Sequence, residues 1–169
     1  MKIIKVKPRW LQIKMVLAIA STIVFAFITS VSAAPFTLKS LKPAVTANEV
    51  TSKLPTITMI FQPDCSWCKK QGIALANVYE QCKDAVNVSL VGAKGNRRQL
   101  KQALKHYHKD LPAFIADAKF LRKIGGYQAS PTTIIYDDNG DILLKKRGYI
   151  ANDKLQNVVK VLTQGACLI

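Results

Sequence analysis

The chain has 169 residues, 25 Lys and Arg against 10 Asp and Glu, and a net charge of +15. That length allows a single domain with a sizeable core. The charge admits nucleic acid, anionic lipid or an acidic protein patch as partners, but it is unevenly distributed. Residues 1–14 carry Lys2, Lys5, Lys7, Arg9 and Lys14 and no acid, and the remainder of the chain holds 20 basic and ten acidic residues, a net +10.

Met15 to Ile28 is almost purely apolar, and Val31-Ser32-Ala33 offers small side chains before Ala34. Basic flank, apolar run and small residues are the order of a secretory signal. Residues 1–33 are therefore read as a signal peptide cleaved after Ala33. The rival reading is an uncleaved anchor, since a bilayer is spanned by roughly 20 apolar residues. Either way the rest of the chain faces an exported, oxidising compartment, the periplasm, with the basic flank held in the cytoplasm. Export argues against nucleic acid as a partner.

Residues 34–54 form a polar lead-in. Ala34 to Leu38 is a candidate first strand, and Thr46 to Ser52 a candidate helical turn. The domain proper is read as 55–169. Thr56–Phe61 is apolar and β-branched, a strong strand. Cys65-Ser66-Trp67-Cys68 comes soon after it and opens a helix to about Gln81, with Ile73, Leu75, Ala76 and Tyr79 as its inward side chains. Val86–Val91 is a second strand. Asn96 caps a basic helix to about His108, with Leu100, Ala103, Leu104 and Tyr107 toward the core. Its Arg97, Arg98, Lys101 and Lys105 read as a solvated face. Leu111–Ala116 is a short extended piece. Asp117 caps a helix over 118–124 that stops at Gly125-Gly126.

Thr132–Tyr136 is a strand, Asp137-Asp138-Asn139-Gly140 a hairpin turn, and Asp141–Arg147 the returning strand. A last helix begins at Asn152 or Asp153, with Leu155, Val158, Val159 and Leu162 on one face, and Gly165 ends it. The layout is α/β: a central mixed β-sheet flanked by helices.

The chemistry centres on Cys65 and Cys68. A cysteine at a strand-to-helix junction has its sulfur at a helix N-terminus, where unpaired N–H groups and the macrodipole favour an anion. A thiolate is such an anion, so the Cys65 thiol is expected below its ordinary range. Cys68, three positions on, can close a disulfide with it. The pair is a two-electron switch, and thiol–disulfide exchange needs no cofactor and no metal. Four cysteines are an even number, which in an oxidising compartment suggests disulfides. A four-thiolate zinc site would need Cys82 and Cys167 to converge on the pair. His106 and His108, a His-x-His, are read as a solvated helix end rather than a metal site. Trp67, beside the reactive sulfur, is read as an apolar rim that contacts substrate.

Phe61 to Lys69 with its Cys-x-x-Cys, Ser130-Pro131-Thr132, the Asp-Asp-Asn-Gly hairpin and Gly148 together resemble thioredoxin-like proteins, over about Thr56 to Leu162. The extra piece over 111–124 looks like the periplasmic TlpA/ResA-type branch. The resemblance implies a thioredoxin-like fold, with Cys65 as the attacking and Cys68 as the resolving thiol. It implies that Pro131 is cis and that the backbone at Ser130 pairs with incoming peptide. In that fold the first and last helices share a face and run away from the site. Cys82 and Cys167 come after their ends, and are expected to form a structural disulfide.

The sequence departs from the pattern at Pro63-Asp64 and at Trp67, and has no clear counterpart of the acid that assists proton transfer in some relatives. The function expected is an exported protein disulfide reductase. It would act on protein disulfides or thiols as a monomer, and a membrane thiol donor would keep it reduced. The alternatives are a disulfide oxidase or isomerase, or a non-catalytic assembly factor or metal carrier.

Overall fold

The computed structural model describes residues 38–42 and 54–169. All belong to the compact unit Ala34–Ile169. The signal or anchor over 1–33, the turn expected over 46–52 and most of the strand expected over 34–38 lie outside the described residues. Among the described residues, no helix is long and apolar enough to cross a membrane.

Among the described residues, six strands form one sheet: β1 (Lys39–Ser40), β2 (Thr56–Phe61), β3 (Asn87–Gly92), β4 (Ala113–Ile115), β5 (Thr132–Tyr136) and β6 (Ile142–Arg147). Their order across the sheet is β1-β4-β3-β2-β5-β6. β2 pairs parallel with β3, and β3 with β4; β5 runs antiparallel to β2 and to β6, and β1 antiparallel to β4. Among the described residues, four helices cover the faces: α1 (Ser66–Cys82), α2 (Arg97–Leu104), α3 (Ala118–Lys123) and α4 (Asn152–Leu162).

β2 is central and buried at all six positions. A strand covered on both faces is apolar throughout rather than alternating. Ile57, Met59 and Phe61 point into a core shared with α1 and α4 through Leu75, Val78, Leu155 and Val159. Ile60 points the other way, to a smaller core with Phe114, Ile134 and Phe120 of α3. Thr58 also lies on that side; its hydroxyl is satisfied by Ser89 of β3 at 2.9 Å.

Caps set the helix boundaries. Asn96 and Gln99 close a reciprocal capping box on α2. Asp117 accepts from the Phe120 amide at 2.7 Å to start α3. The end of α3 is a Schellman motif: Gly125, at φ 70°, donates to Arg122, and Gly126 donates to Leu121. The left-handed position there is one that glycine occupies without strain.

Two helical expectations need correction. Ile73 does not pack inward; it is 60% exposed, and Ala74 is buried instead, beside Leu75, which is buried as expected. The buried stripe of α1 runs through Cys68, Gln71, Gly72, Leu75 and Val78, which puts Ile73 on the outer face. The basic helix ends at Leu104, not near His108. Beyond it, His106 and Tyr107 donate to the carbonyls three residues back. This tighter turn carries the Tyr107 ring onto Gly72, where a Cβ would lie 2.1 Å from it.

Gly72 therefore serves close packing. In an exposed helix interior Gly→Ala stabilises by about 1 kcal/mol, but overpacking a full core costs about 1–3 kcal/mol. We expect Gly72→Ala to destabilise. Chemical denaturation checks the sign, and a stabilised variant would mean that Tyr107 yields freely.

Candidate redox site

The apolar demand of β2 ends at Phe61. Gln62, Pro63 and Asp64 then turn the chain, with Asp64 in the left-handed region at φ 56°. Asp is among the few non-glycine residues that adopt this conformation readily. The turn delivers Cys65 as the N-cap of α1, in extended conformation. Its sulfur accepts a hydrogen bond from the Cys68 amide at 3.1 Å. An N-cap acceptor satisfies one of the four amides that a helix start leaves free. Here sulfur takes the place that Ser or Asp usually fills.

Cys65 and Cys68 are joined by a disulfide, with Cα atoms 5.2 Å apart. Cys65 is half-buried, whereas Cys68 is 0% exposed. The two sulfurs therefore differ in access, and only Cys65 can be approached from solvent.

Three further features bear on the surroundings of the pair. The Ser130–Pro131 peptide bond is cis, and Pro131 immediately precedes β5. Tyr127 links this loop to the site: its hydroxyl contacts Ser130 and donates to Gln62 at 3.1 Å. Burial pushes the Tyr127 hydroxyl above its ordinary pKa. Trp67 is 54% exposed and lies 5.6 Å from the Tyr149 ring, centroid to centroid. The Lys70 ammonium sits over both rings, 5.5 Å from Trp67 and 4.8 Å from Tyr149. This cation–π cluster stiffens an exposed aromatic rim.

Sequence reasoning missed Tyr149 and Tyr127, and left Lys70 to solvent rather than over the rings. The Trp67–Lys70 spacing of one helical turn was a usable signal for Lys70. The two tyrosines make their contacts through the tertiary fold.

Behind the pair lies Gln71, one turn after Cys68 and fully buried. Its side-chain carbonyl accepts from the Ile150 amide at 2.7 Å, tying α1 to the segment that carries Tyr149. Among the described residues its Nε2 has no partner, and neither does the buried Thr133 hydroxyl. Tyr107, also near the pair's helix, is held protonated by burial, with its pKa pushed up to about 12.

The remaining residues singled out by sequence sort clearly. Cys82 and Cys167 are bonded to each other, with Cα atoms 5.7 Å apart. They therefore do not converge on Cys65 and Cys68 as a thiolate cluster. The loop they close spans 85 residues, for which loop entropy gives about 4–5 kcal/mol. His108 has both ring nitrogens engaged: Nε2 with Glu80 at 2.8 Å, and Nδ1 accepting from the Asp110 amide at 3.3 Å. Among the described residues, no group of three or more His, Cys, Asp or Glu is arranged to hold a metal ion.

No protein-family model matches the chain, and no curated protein matches it. Solved structures do. A secreted Mycobacterium tuberculosis disulfide oxidoreductase homologous to E. coli DsbE is 16% identical, with a TM-score of 0.63 over 76% of this chain and 96% of that one. The pneumococcal exposed lipoprotein thioredoxin Etrx1, from Streptococcus pneumoniae, is 19% identical, with a TM-score of 0.65 over 76% of this chain and 100% of that one. A thioredoxin-family thiol:disulfide interchange protein from Chlorobium tepidum is 17% identical, with a TM-score of 0.62 over 78% of this chain and 98% of that one. The chain has the thioredoxin-like α/β fold. On that fold it carries a Cys-x-x-Cys pair at the start of α1.

The role of Gln71 is testable. Gln71→Met keeps the volume but strands the Ile150 amide, at a cost of about 1–3 kcal/mol. Loss of the orphan Nε2 returns part of this, so we expect a net destabilisation of about 1 kcal/mol in denaturant melts. A neutral variant would mean that the unpaired amide costs as much as the bond contributes.

Proposed function

We propose that the chain is an exported thiol–disulfide oxidoreductase acting on protein substrates. The observation that carries the reading is the asymmetry of the pair: an accessible Cys65 at a helix N-terminus and a buried Cys68 whose amide donates to it. Amide and helix terminus both favour negative charge on the Cys65 sulfur once it is reduced.

In the reductive direction the Cys65 thiolate attacks one sulfur of a substrate disulfide. That S–S bond breaks, a Cys65–substrate disulfide forms, and the other substrate sulfur leaves as a thiolate that takes a proton from water. Cys68, deprotonated, then attacks the Cys65 sulfur and releases the second substrate thiolate. Two electrons have passed to the substrate, and the Cys65–Cys68 disulfide remains. Trp67, the Ser130 backbone and Pro131 form the surface on which the substrate peptide lies. A membrane dithiol donor would return the two electrons. A monomer suffices, since every step uses one chain.

The direction is taken as reductive. No cation lies between the two cysteines, and Asp64, beside Cys65, opposes further negative charge. Lys70 is committed to Trp67 and Tyr149. Lys69 shares a groove with Cys65 and offsets Asp64 in part. A strong oxidant would need its reduced form stabilised more than this. The secreted or exposed character of two structural relatives, together with residues 1–33, supports export to the periplasm. The alternative is a disulfide oxidase or isomerase.

Two measurements check the reading. In an insulin reduction assay, Cys65→Ser should abolish turnover, whereas Cys68→Ser should trap a mixed disulfide through Cys65. Trapping through Cys68 instead would invert the assignment, and unchanged turnover in Cys65→Ser would favour a non-catalytic scaffold. Equilibration with glutathione should give a potential nearer the reducing value of about −270 mV than the oxidising value of about −120 mV. A value above about −180 mV would promote the oxidase or isomerase alternative.

A further inference from the structure

The mechanism leaves one feature next to Cys65 unused. A groove of about 500 Å³ runs from Gln62 and Cys65 past Lys69 to Arg98, Gln102 and His106. Its outer lip continues along α2 through Arg97, Lys101 and Lys105. Lys69, Arg98, Lys101 and Lys105 are exposed. Among the described residues, Asp64 is the one carboxylate on the groove wall. Among the described residues, none of these four cations is ion-paired with a carboxylate. The positive field beside the sulfur is therefore left largely uncancelled.

Helix stability accounts for only part of this cluster: Lys101 in the last turn and Lys105 at the C-cap suit the macrodipole, and Arg97 donates to the Ser40 carbonyl at 2.9 Å. Arg97 and Arg98 are the first two residues of α2, where the macrodipole disfavours positive charge. Arg97 and Lys101 stand four apart, and Lys101 and Lys105 four apart, a like-charge spacing that destabilises a helix. Neither α1 nor α2 has an acid in its first turn. Arg98 thus combines an unfavourable place on the helix with a place on the groove wall beside Cys65.

We infer that the groove between α1 and α2 selects substrates whose reactive cysteine is flanked by acidic residues. The inference rests on the oxidoreductase reading of Cys65. A polypeptide is the occupant, because the reaction centre needs a substrate sulfur, which nucleic acid and lipid do not carry. The cationic face spans about two helical turns, or about 11 Å. An extended peptide covers that with three or four residues at about 3.3 Å each. A short acidic run beside the cysteine therefore matches the face in length as well as in sign. Ser130 and Tyr127 join the same path at Gln62, which lines the groove and receives the Tyr127 hydrogen bond.

The test uses the reduced full-length protein and three probes. They are the symmetrical disulfide of a peptide with cysteine between glutamates, its counterpart with lysines, and hydroxyethyl disulfide. Each rate is divided by the rate of the same probe with free dithiothreitol, which removes intrinsic reactivity. At low ionic strength the acidic probe should be preferred over the basic one by at least about tenfold. The preference should fall toward unity near ~0.5 M salt, where the field is screened within a few ångströms. Lys101→Glu, a single exposed change, should reduce the ratio, and Arg98→Gln/Lys101→Gln/Lys105→Gln should reduce it further. Equal rates for the two peptides, with hydroxyethyl disulfide still reduced, would overturn the acidic preference alone. A salt-independent ratio, or one unmoved in both variants, would place the preference elsewhere and overturn the role of the groove. No reaction with any probe would overturn both the inference and the oxidoreductase reading beneath it.

Discussion

The hydrogen bond from the Cys68 amide to the Cys65 sulfur depends on where β2 ends. A strand buried on both faces cannot continue past the core. The chain must turn at Pro63-Asp64 and begin a helix at once. The residue at that point inherits the free amides of the helix start, and here that residue is a cysteine. Fold and proposed chemistry meet in one atom: the sulfur that caps the helix is also the sulfur proposed to react.

The back of α1 is held as firmly as its front. Gln71 binds the Ile150 amide, and Tyr107 fills the space above Gly72. Farther along, Cys82 is joined to Cys167. Three different interactions, polar, apolar and covalent, thus fix one helix against the segments leading into and out of α4 and beyond α2. Lys145 holds the other side of the molecule in a similar way. Its ammonium donates to the Ile124 and Gly126 carbonyls at 2.7 and 2.6 Å, capping the C-terminus of α3. The partial desolvation this entails lowers its pKa.

Local signals carried most of the fold. β2 was legible because its apolar run is unbroken. α3 was legible because Asp117 and Gly125 bracket it, and the β5–β6 hairpin because Asp137 accepts from Asn139 and Asp141. What misled was periodicity alone. Ile73 is as hydrophobic as its neighbours, and only the position of the sheet decides that Ala74 turns inward instead. The end of α2 was misjudged because no glycine or proline marks it; the pull of Tyr107 onto Gly72, 35 positions away in sequence, decides it. At the site, Cys65 and Cys68 were readable because their spacing is local. The groove was not, since it exists only where α2 passes the start of α1. The basic face of α2 is solvated as expected, and its Arg98 also lines the groove that holds Cys65.

The two disulfides differ in what they tie together. Four cysteines admit three complete pairings, and the one adopted combines a three-residue separation with an 85-residue one. Cys65–Cys68 closes a ring at the start of α1 and joins no distant parts of the chain. Cys82–Cys167 joins the end of α1 to the tail that follows α4. Opening the first bond therefore leaves the long-range cross-link in place, and one end of α1 stays tied whatever the state of the other.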